Sequence, residues 1–238
     1  IPLILNPDGS KMSKRDAGAA VGDYPRQGFL PSAVVNFIAL LGWSSKTDEE
    51  IFTPAELIER FTLENVNRAP ARFDFEKCKW VNQQHLLKVD ADEFAAAAKP
   101  FVEEAGLPIP ENFKAIAAAV KEKVRLLGEV PAAVDFLIQD EFAYDDEAVT
   151  KVRGNAAAKE LLATLAGSFI AITDWSADAA KSALNDVAKA AGAKPGQLMF
   201  PLRVALPGRG HGPDIGGILN LLGQDRSAER GKKFAEIL

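Results

Sequence analysis

Asp90-Ala91-Asp92-Glu93-Phe94-Ala95-Ala96-Ala97-Ala98 opens on an aspartate, places a glutamate three residues later, and runs into alanine. An aspartate side chain accepts the first free amide hydrogens of a helix, acids in the first turn suit its positive end, and alanine is the best helix former. The stretch predicts a capped, Ala-rich helix. The same grammar extends outward in both directions. Upstream, Pro31 to Leu41 is an apolar run with proline in its first turn and Gly42 behind it. Thr53-Pro54-Ala55-Glu56 reads as a capping box, and Asp74 can cap a helix running through Trp80 to Leu87. Downstream, helices are predicted at about 111–127, 129–139, 146–151, 155–170 and 176–191. Four more turns or helices fill the tail, broken by Gly192, Pro195, Pro201, Pro207-Gly208, Pro213 and Gly223. After residue 5 there is almost no period-two alternation. The expected fold class is mainly α.

The chain has 238 residues, enough for one large domain or two small ones. Its 47% apolar and 26% charged content excludes whole-chain disorder. No apolar run approaches the roughly 18 residues of a spanning helix, and no signal-peptide pattern is present. A single cysteine, Cys78, excludes an internal disulfide framework and a cysteine-cluster zinc site. It fits a reducing compartment and reads as a buried structural thiol. Only His85 and His211 are available, so no His-rich metal site can form, and no metal site is expected. The net charge of −5 means that a nucleic-acid partner would be met by local basic patches. The chain opens at Ile1 and is expected to be a piece of a longer protein. Domain boundaries are expected near residues 90 and 145, the second after the acidic run Asp140 to Glu147.

Ile1 to Leu5 reads as a short buried strand that, as a lone strand, is expected to be poorly ordered. Asn6-Pro7-Asp8-Gly9 is a turn signature, and Lys11-Met12-Ser13-Lys14-Arg15 then puts three positive charges into a loop. Alone, such a cluster is most simply a solvated loop. Its order after a strand and an Asp-Gly turn resembles the KMSKS-type loop of class I aminoacyl-tRNA synthetases. The resemblance implies ATP binding by Lys11, Met12, Ser13, Lys14 and Arg15, with Lys11 and Lys14 catalytic. Amino-acid activation builds negative charge on the α-phosphoryl group and on departing pyrophosphate. Mobile ammonium groups that close on these stabilise the transition state more than the ground state.

Three further stretches narrow the resemblance: Tyr24 to Trp43, Phe73 to Asn82, and Pro201 to Arg226. With the basic loop, and in this order, they resemble bacterial-type glutamyl-tRNA synthetases over essentially the whole chain. That family implies a remnant of the α/β catalytic domain over 1–15, a helical stem-contact region over 16–90, and two helical anticodon-binding subdomains over 91–145 and 146–238. It further implies ATP with Mg²⁺ as the substrate complex, glutamate and tRNA-Glu as partners, a cytoplasmic monomer, and no membrane. The HIGH-type motif of class I enzymes is not present in this sequence, so the chain alone is expected not to activate glutamate. Two alternatives remain open: an enzyme that also charges tRNA-Gln, and a stand-alone tRNA-binding module.

Locally basic stretches mark candidate RNA contacts. Lys114, Lys121, Lys123 and Arg125 oppose only Glu122, and Arg68, Arg72, Lys77, Lys79 and Lys88 outnumber the acids near them. The resemblance implies a tRNA backbone contact at Lys77 and anticodon contacts at Arg203, Gly212, Pro213 and Ile215. It also implies a third-base reader at Lys123, with Arg125 the rival register. His211 is a candidate base-stacking or hydrogen-bonding group in the same loop. Trp43 and Trp80 both read as core residues.

Overall fold

The structure, a computed structural model, describes residues 2–13, 15, 16, 18 and 20–238. Among these residues the regular secondary structure is mainly helical. In order come β1 (Ile4–Leu5), α1 (Asp23–Gln27), α2 (Pro31–Leu40), α3 (Pro54–Arg60), β2 (Ala71–Arg72), α4 (Phe75–Lys88) and α5 (Ala91–Glu104). They are followed by α6 (Phe113–Val120), α7 (Val130–Ile138), α8 (Asp146–Arg153), α9 (Ala158–Ile170), α10 (Ala177–Ala190), α11 (Pro195–Ala205) and α12 (Ile215–Ile237). Among the described residues no helix is long and apolar enough to cross a membrane.

The caps form where local chemistry predicts them. Asp90 Oδ1 accepts from the amides of Asp92 and Glu93, both at 2.9 Å. Thr53 and Glu56 complete the reciprocal box: the Thr53 hydroxyl accepts from the Glu56 amide at 3.2 Å, and Glu56 accepts from the Thr53 amide at 2.7 Å. Asp74 Oδ1 accepts from the Lys77 amide at 3.0 Å. Each such cap contributes about 1 kcal/mol by satisfying an otherwise orphaned donor.

The chain divides into two compact units, residues 1–105 with 124–131, and residues 106–123 with 132–238. The first is centred on Tyr24, Phe29, Ala33, Phe37, Phe73, Cys78 and Val81, with Phe37 and Phe73 edge-to-face at 5.2 Å. A satellite cluster gathers Trp43, Phe52 and Leu57. Gly28 (φ 88°) lies against the turn at Leu127–Glu129; a Cβ there would meet the Gly128 amide nitrogen at 2.4 Å. Buried polar side chains tie the helices of this unit. Asn82 accepts from the Leu30 amide at 2.8 Å and donates to the Arg125 carbonyl at 2.6 Å. Asn36 Oδ1 accepts from the Phe52 amide at 2.9 Å and lies 2.9 Å from His85 Nε2, while His85 Nδ1 lies 3.1 Å from the Ser32 hydroxyl. Because Asn36 Oδ1 can only accept, His85 carries its proton on Nε2 and takes the Ser32 hydroxyl hydrogen on Nδ1. Burial lowers the His85 pKa, as does the charge of Lys88, so the neutral ring is the folded form.

In the second unit α9 lies along α10, α11 and α12. Leu162, Leu165, Phe169, Leu184, Leu198 and Phe234 are fully buried there. Tyr144 stacks on Phe234 at 4.9 Å, and Trp175 meets Phe169 edge-to-face at 5.2 Å. The last helix is broken at Gly223 (φ 76°, ψ 176°). The Gln224 amide beside the break donates to the carbonyls of Phe169 and Ile172, both at 2.7 Å, closing the end of α9.

Several expectations are corrected. The strand at Ile4–Leu5 is not lone: it pairs in parallel with Ala71–Arg72, and its carbonyls accept from Met12 and Phe73 at 3.2 and 2.8 Å. It is half-buried, and Leu3 beside it is 49% exposed. The predicted helix over 111–127 ends at Val120 and passes through a 3-10 turn at Lys121–Lys123. The Glu129 carboxylate takes the Arg125 amide at 2.7 Å and the Leu126 amide at 3.4 Å, replacing the helical ladder with side-chain bonds. Pro201 does not break the tail but sits inside α11. Trp80 is 38% exposed on α4, whereas Trp43 is 4% exposed. The covered face of α4 is taken by Cys78, Val81, Asn82 and His85, and Trp80 falls on the other side of the turn.

Candidate functional site

The basic loop is built on a turn held mostly by local bonds, with the Arg72 guanidinium reaching the Pro7 carbonyl at 3.5 Å. Asn6 donates its amide to the Ser10 carbonyl at 2.8 Å, Gly9 (φ 89°) donates to Asn6, and Asp8 Oδ1 accepts from the Ser10 amide and hydroxyl at 2.9 and 2.7 Å. These two Ser10 bonds, the hydroxyl first, lower the Asp8 pKa. Lys11 follows as a bridge to Leu5, and Met12 packs onto the first unit's core. Asp16 Oδ2 then accepts from the Ser13 amide at 2.7 Å and from the Asn6 side-chain amide at 2.9 Å, which lowers its own pKa. Lys11, Ser13 and Arg15 are exposed, and the Arg15 amide donates to the Ser13 hydroxyl at 3.3 Å. Lys14 lies outside the described residues. The loop borders an apolar groove that includes Leu3, Tyr24, Ile38 and Phe73. The exposed Lys11 ammonium and Arg15 guanidinium are phosphate-binding chemistry.

On α4, Lys77 forms an ion pair with Glu50. Glu76 accepts from Lys79 at 3.0 Å and from Arg125 at 2.8 Å, the two contacts that lower its pKa, the Lys79 bond first. Lys123 is exposed in its 3-10 turn.

In the second unit the structure brings Arg203, Gly212, Pro213 and Ile215 to one corner, between the end of α11 and the start of α12. The Arg203 guanidinium donates to the Pro213 carbonyl. Burial pulls its pKa down and the charge of Asp214 opposes that shift. Asp214 caps α12 by accepting from the Gly217 amide at 3.1 Å. Pro213 and Ile215 are buried, Gly212 (φ 140°) is half-buried, and His211 is exposed at the tip. The corner offers a desolvated cation, backbone groups of a glycine-rich turn, and one exposed imidazole. Such a set can hydrogen-bond and stack on a splayed base.

Arg209 was not singled out in the sequence, nor was Arg230. Arg209 donates to the Ala132 carbonyl at 2.7 Å and to Asp135 at 3.1 Å. Arg230, 4% exposed, donates to the carbonyls of Leu206 and Gln139 at 2.7 and 2.8 Å and lies 4.5 Å from the Phe142 ring centre. Burial pushes its pKa down to about 10. Only the fold reveals such uses, because no local spacing marks an arginine aimed at a distant carbonyl. Among the described residues, no three His, Cys, Asp or Glu side chains converge to hold a metal.

Two family models match the chain in sequence. The catalytic domain of class I tRNA synthetases (E and Q) matches residues 1–80, and the anticodon binding domain matches residues 93–235. The chain belongs to the glutamate–tRNA ligase family of class I tRNA synthetases. A glutamate–tRNA ligase of Akkermansia muciniphila is 49% identical over 99% of this chain, which covers 53% of that relative. Another from Heliobacterium modesticaldum is 35% identical over the whole chain, which covers 49% of it. The crystal structure of a glutamate tRNA ligase from Elizabethkingia meningosepticum in complex with its amino acid superposes with a TM-score of 0.82. Its sequence is 29% identical, and the match covers 99% of this chain and 50% of that one. The chain thus spans about half the length of the curated relatives it matches.

Proposed function

We propose that this chain supplies the ATP-closing loop and the tRNA-binding half of a glutamate–tRNA ligase. That enzyme activates glutamate with ATP, bound with Mg²⁺, and transfers it to tRNA-Glu. The observation that carries the reading is the succession on one chain of the class I catalytic match, with the Lys11–Arg15 loop inside it, and the anticodon-binding match over 93–235. Residues 1–15 serve as the end of the catalytic domain, 16–90 as the stem-contact region, and 91–145 and 146–238 as the two anticodon-binding subdomains. Lys11 and Lys14 stabilise the charge that develops on the phosphates, while Met12, Ser13 and Arg15 shape the loop around them. Lys77 positions the tRNA backbone. Lys123, with Arg125 near it in sequence, and the Arg203, Gly212, Pro213, Ile215 corner read the anticodon. The complete protein works as a cytoplasmic monomer. Arg203 fits its role because the acceptor that holds it is a neutral carbonyl and the Asp214 charge acts on it only through space.

The test is binding of this chain to tRNA-Glu transcripts at one fixed salt concentration, with native and anticodon-substituted versions compared. Weaker binding to the substituted transcript supports anticodon reading. Equal binding leaves only sequence-independent backbone affinity and removes the role assigned to the second unit.

A further inference from the structure

The loop between α11 and α12 is held at both shoulders by guanidinium groups, and they are held differently. Arg203 grips the Pro213 carbonyl on the α12 side. On the α11 side, Arg209 turns back into its own unit. It donates to the Ala132 and Ala133 carbonyls at 2.7 and 3.4 Å and to Asp135 Oδ1 at 3.1 Å. Its guanidinium carbon lies 5.2 Å from the centre of the Phe136 ring. Beneath it, Gly208 (φ 79°) donates to the Val204 carbonyl at 2.9 Å and accepts from the Asp145 amide at 2.8 Å. A Cβ on Gly208 would meet the Ala143 carbonyl at 2.4 Å, so the base of the loop admits no side chain. The tip, Gly210 and His211, is exposed, as is Asp214 at the start of α12.

We propose that Arg209 is a positioning residue for RNA reading: it fixes the tip formed by Gly210, His211 and Gly212 and does not itself touch the nucleic acid. A sequence-level view would make it one more basic contact in a glycine-rich loop. The geometry argues otherwise. Its charge is met by the Asp135 carboxylate, and its donors are directed at two carbonyls that begin α7. A fork with this many partners holds one orientation, which a lysine cannot reproduce. Two glycines flank His211, and without an anchor the tip would sample many backbone states. Immobilising it beforehand removes that ordering cost from RNA binding.

The proposal rests on the anticodon-reading role above and is tested in the same assay, extended to a salt series. The variants are Arg209→Gln, Arg209→Lys and Asp135→Asn, and the readouts are the native-to-substituted binding ratio and the salt slope. Arg209→Gln should lower the ratio roughly fivefold to tenfold, about the discrimination one base contact supplies, with the slope unchanged. Asp135→Asn, which leaves the arginine in place, should lower the ratio in the same direction, and the double variant should add nothing further. Arg209→Lys should fail to restore the ratio. If the slope instead falls by about 0.7 to 0.9 in Arg209→Gln while the ratio holds, Arg209 is a phosphate ligand and the proposal is wrong. Tighter binding of all transcripts by Asp135→Asn would overturn it as well. A parent chain that shows no ratio at all removes the anticodon-reading role and this inference together, whereas a parent ratio that survives every variant removes this inference alone.

Discussion

Replacing Asn82 separates two things that its buried amide does at once. The side chain is fully buried, accepts from the Leu30 amide at 2.8 Å and donates to the Arg125 carbonyl at 2.6 Å. It therefore joins the start of α2 to the segment carrying Arg125, with α4 as the bridge. Asn82→Ala removes both bonds and leaves a donor and an acceptor without partners. At about 1–3 kcal/mol for each abandoned group, the loss is about 3 kcal/mol after partial relaxation. For a unit of this size that lowers the melting temperature by on the order of 10 °C. Asn82→Asp is the sharper probe. Its carboxylate still accepts from Leu30 but places a second acceptor against the Arg125 carbonyl. Burial and this clash raise the pKa of the new acid in the folded state above its unfolded value. Stability relative to the parent should therefore recover as pH falls through that folded pKa, because the protonated acid can donate to the carbonyl. The assay is thermal unfolding followed by circular dichroism between pH 4 and 8, with urea titrations to confirm that the midpoint moves without a change in slope. An Asn82→Ala chain within about 0.5 kcal/mol of the parent, or an Asn82→Asp difference that is flat with pH, would refute the bridging role.

Three other outcomes follow from groups already described. His85 has a lowered pKa in the folded state, so its contribution to stability is complete above the unfolded value of about 6.5 and is lost as pH falls below it. The difference in melting temperature between the parent and His85→Gln should shrink on acidification, and a constant difference would disprove the neutral-ring assignment. Gly28→Ala should destabilise by several kcal/mol, about 1 kcal/mol for the positive φ and the rest from collision with the Gly128 amide nitrogen at 2.4 Å; urea unfolding measures it, and a loss under about 1 kcal/mol would mean that the 127–129 turn yields freely. Burial pushes the Cys78 thiol up to about 12, so a thiol reagent at pH 7.5 should label it only as the first unit unfolds; rapid labelling of the folded chain would contradict its burial.

What was legible in the sequence was whatever depends on neighbours along the chain. Asp90, Thr53 with Glu56, and Asp74 cap helices through bonds reaching two or three residues, so their spelling is enough. Gly223 breaks the last helix for the same reason. What escaped depends on partners distant in sequence. Ala71–Arg72 has no strand periodicity in two residues and becomes a strand only because Ile4–Leu5 lies beside it. The end of α6 at Val120 has no proline or glycine to announce it, and the chain passes there into a 3-10 turn at Lys121–Lys123. Trp80 looked like core because its neighbours are apolar, yet Cys78, Val81, Asn82 and His85 occupy the buried side of α4. At the candidate sites, residue identities could be read, but the direction of each side chain could not: Arg203 and Arg209 stand in one loop region and point at different acceptors.

That difference in acceptor carries consequences for how the basic residues can act. Lys77 and Arg125 each face a carboxylate, Glu50 and Glu76. These pairs are partly exposed, and such pairs contribute about 0–1 kcal/mol, so an approaching phosphate can displace them at small cost. Doing so releases a carboxylate near the RNA, and the net gain in charge neutralisation is correspondingly small. Arg203 donates to the Pro213 carbonyl while the Asp214 charge acts on it through space, so on the proposed reading no directly bonded carboxylate has to be displaced when RNA arrives. It is also partly desolvated before binding, as its lowered pKa records, and a charge already stripped of water interacts more strongly with its ligand. Of these cations, Arg203 is the one whose surroundings best suit the RNA-binding role proposed for it. Lys77 and Arg125 are instead exchangeable, and because salt also screens their pairs with Glu50 and Glu76, contacts through them should show the weaker dependence on competing salt.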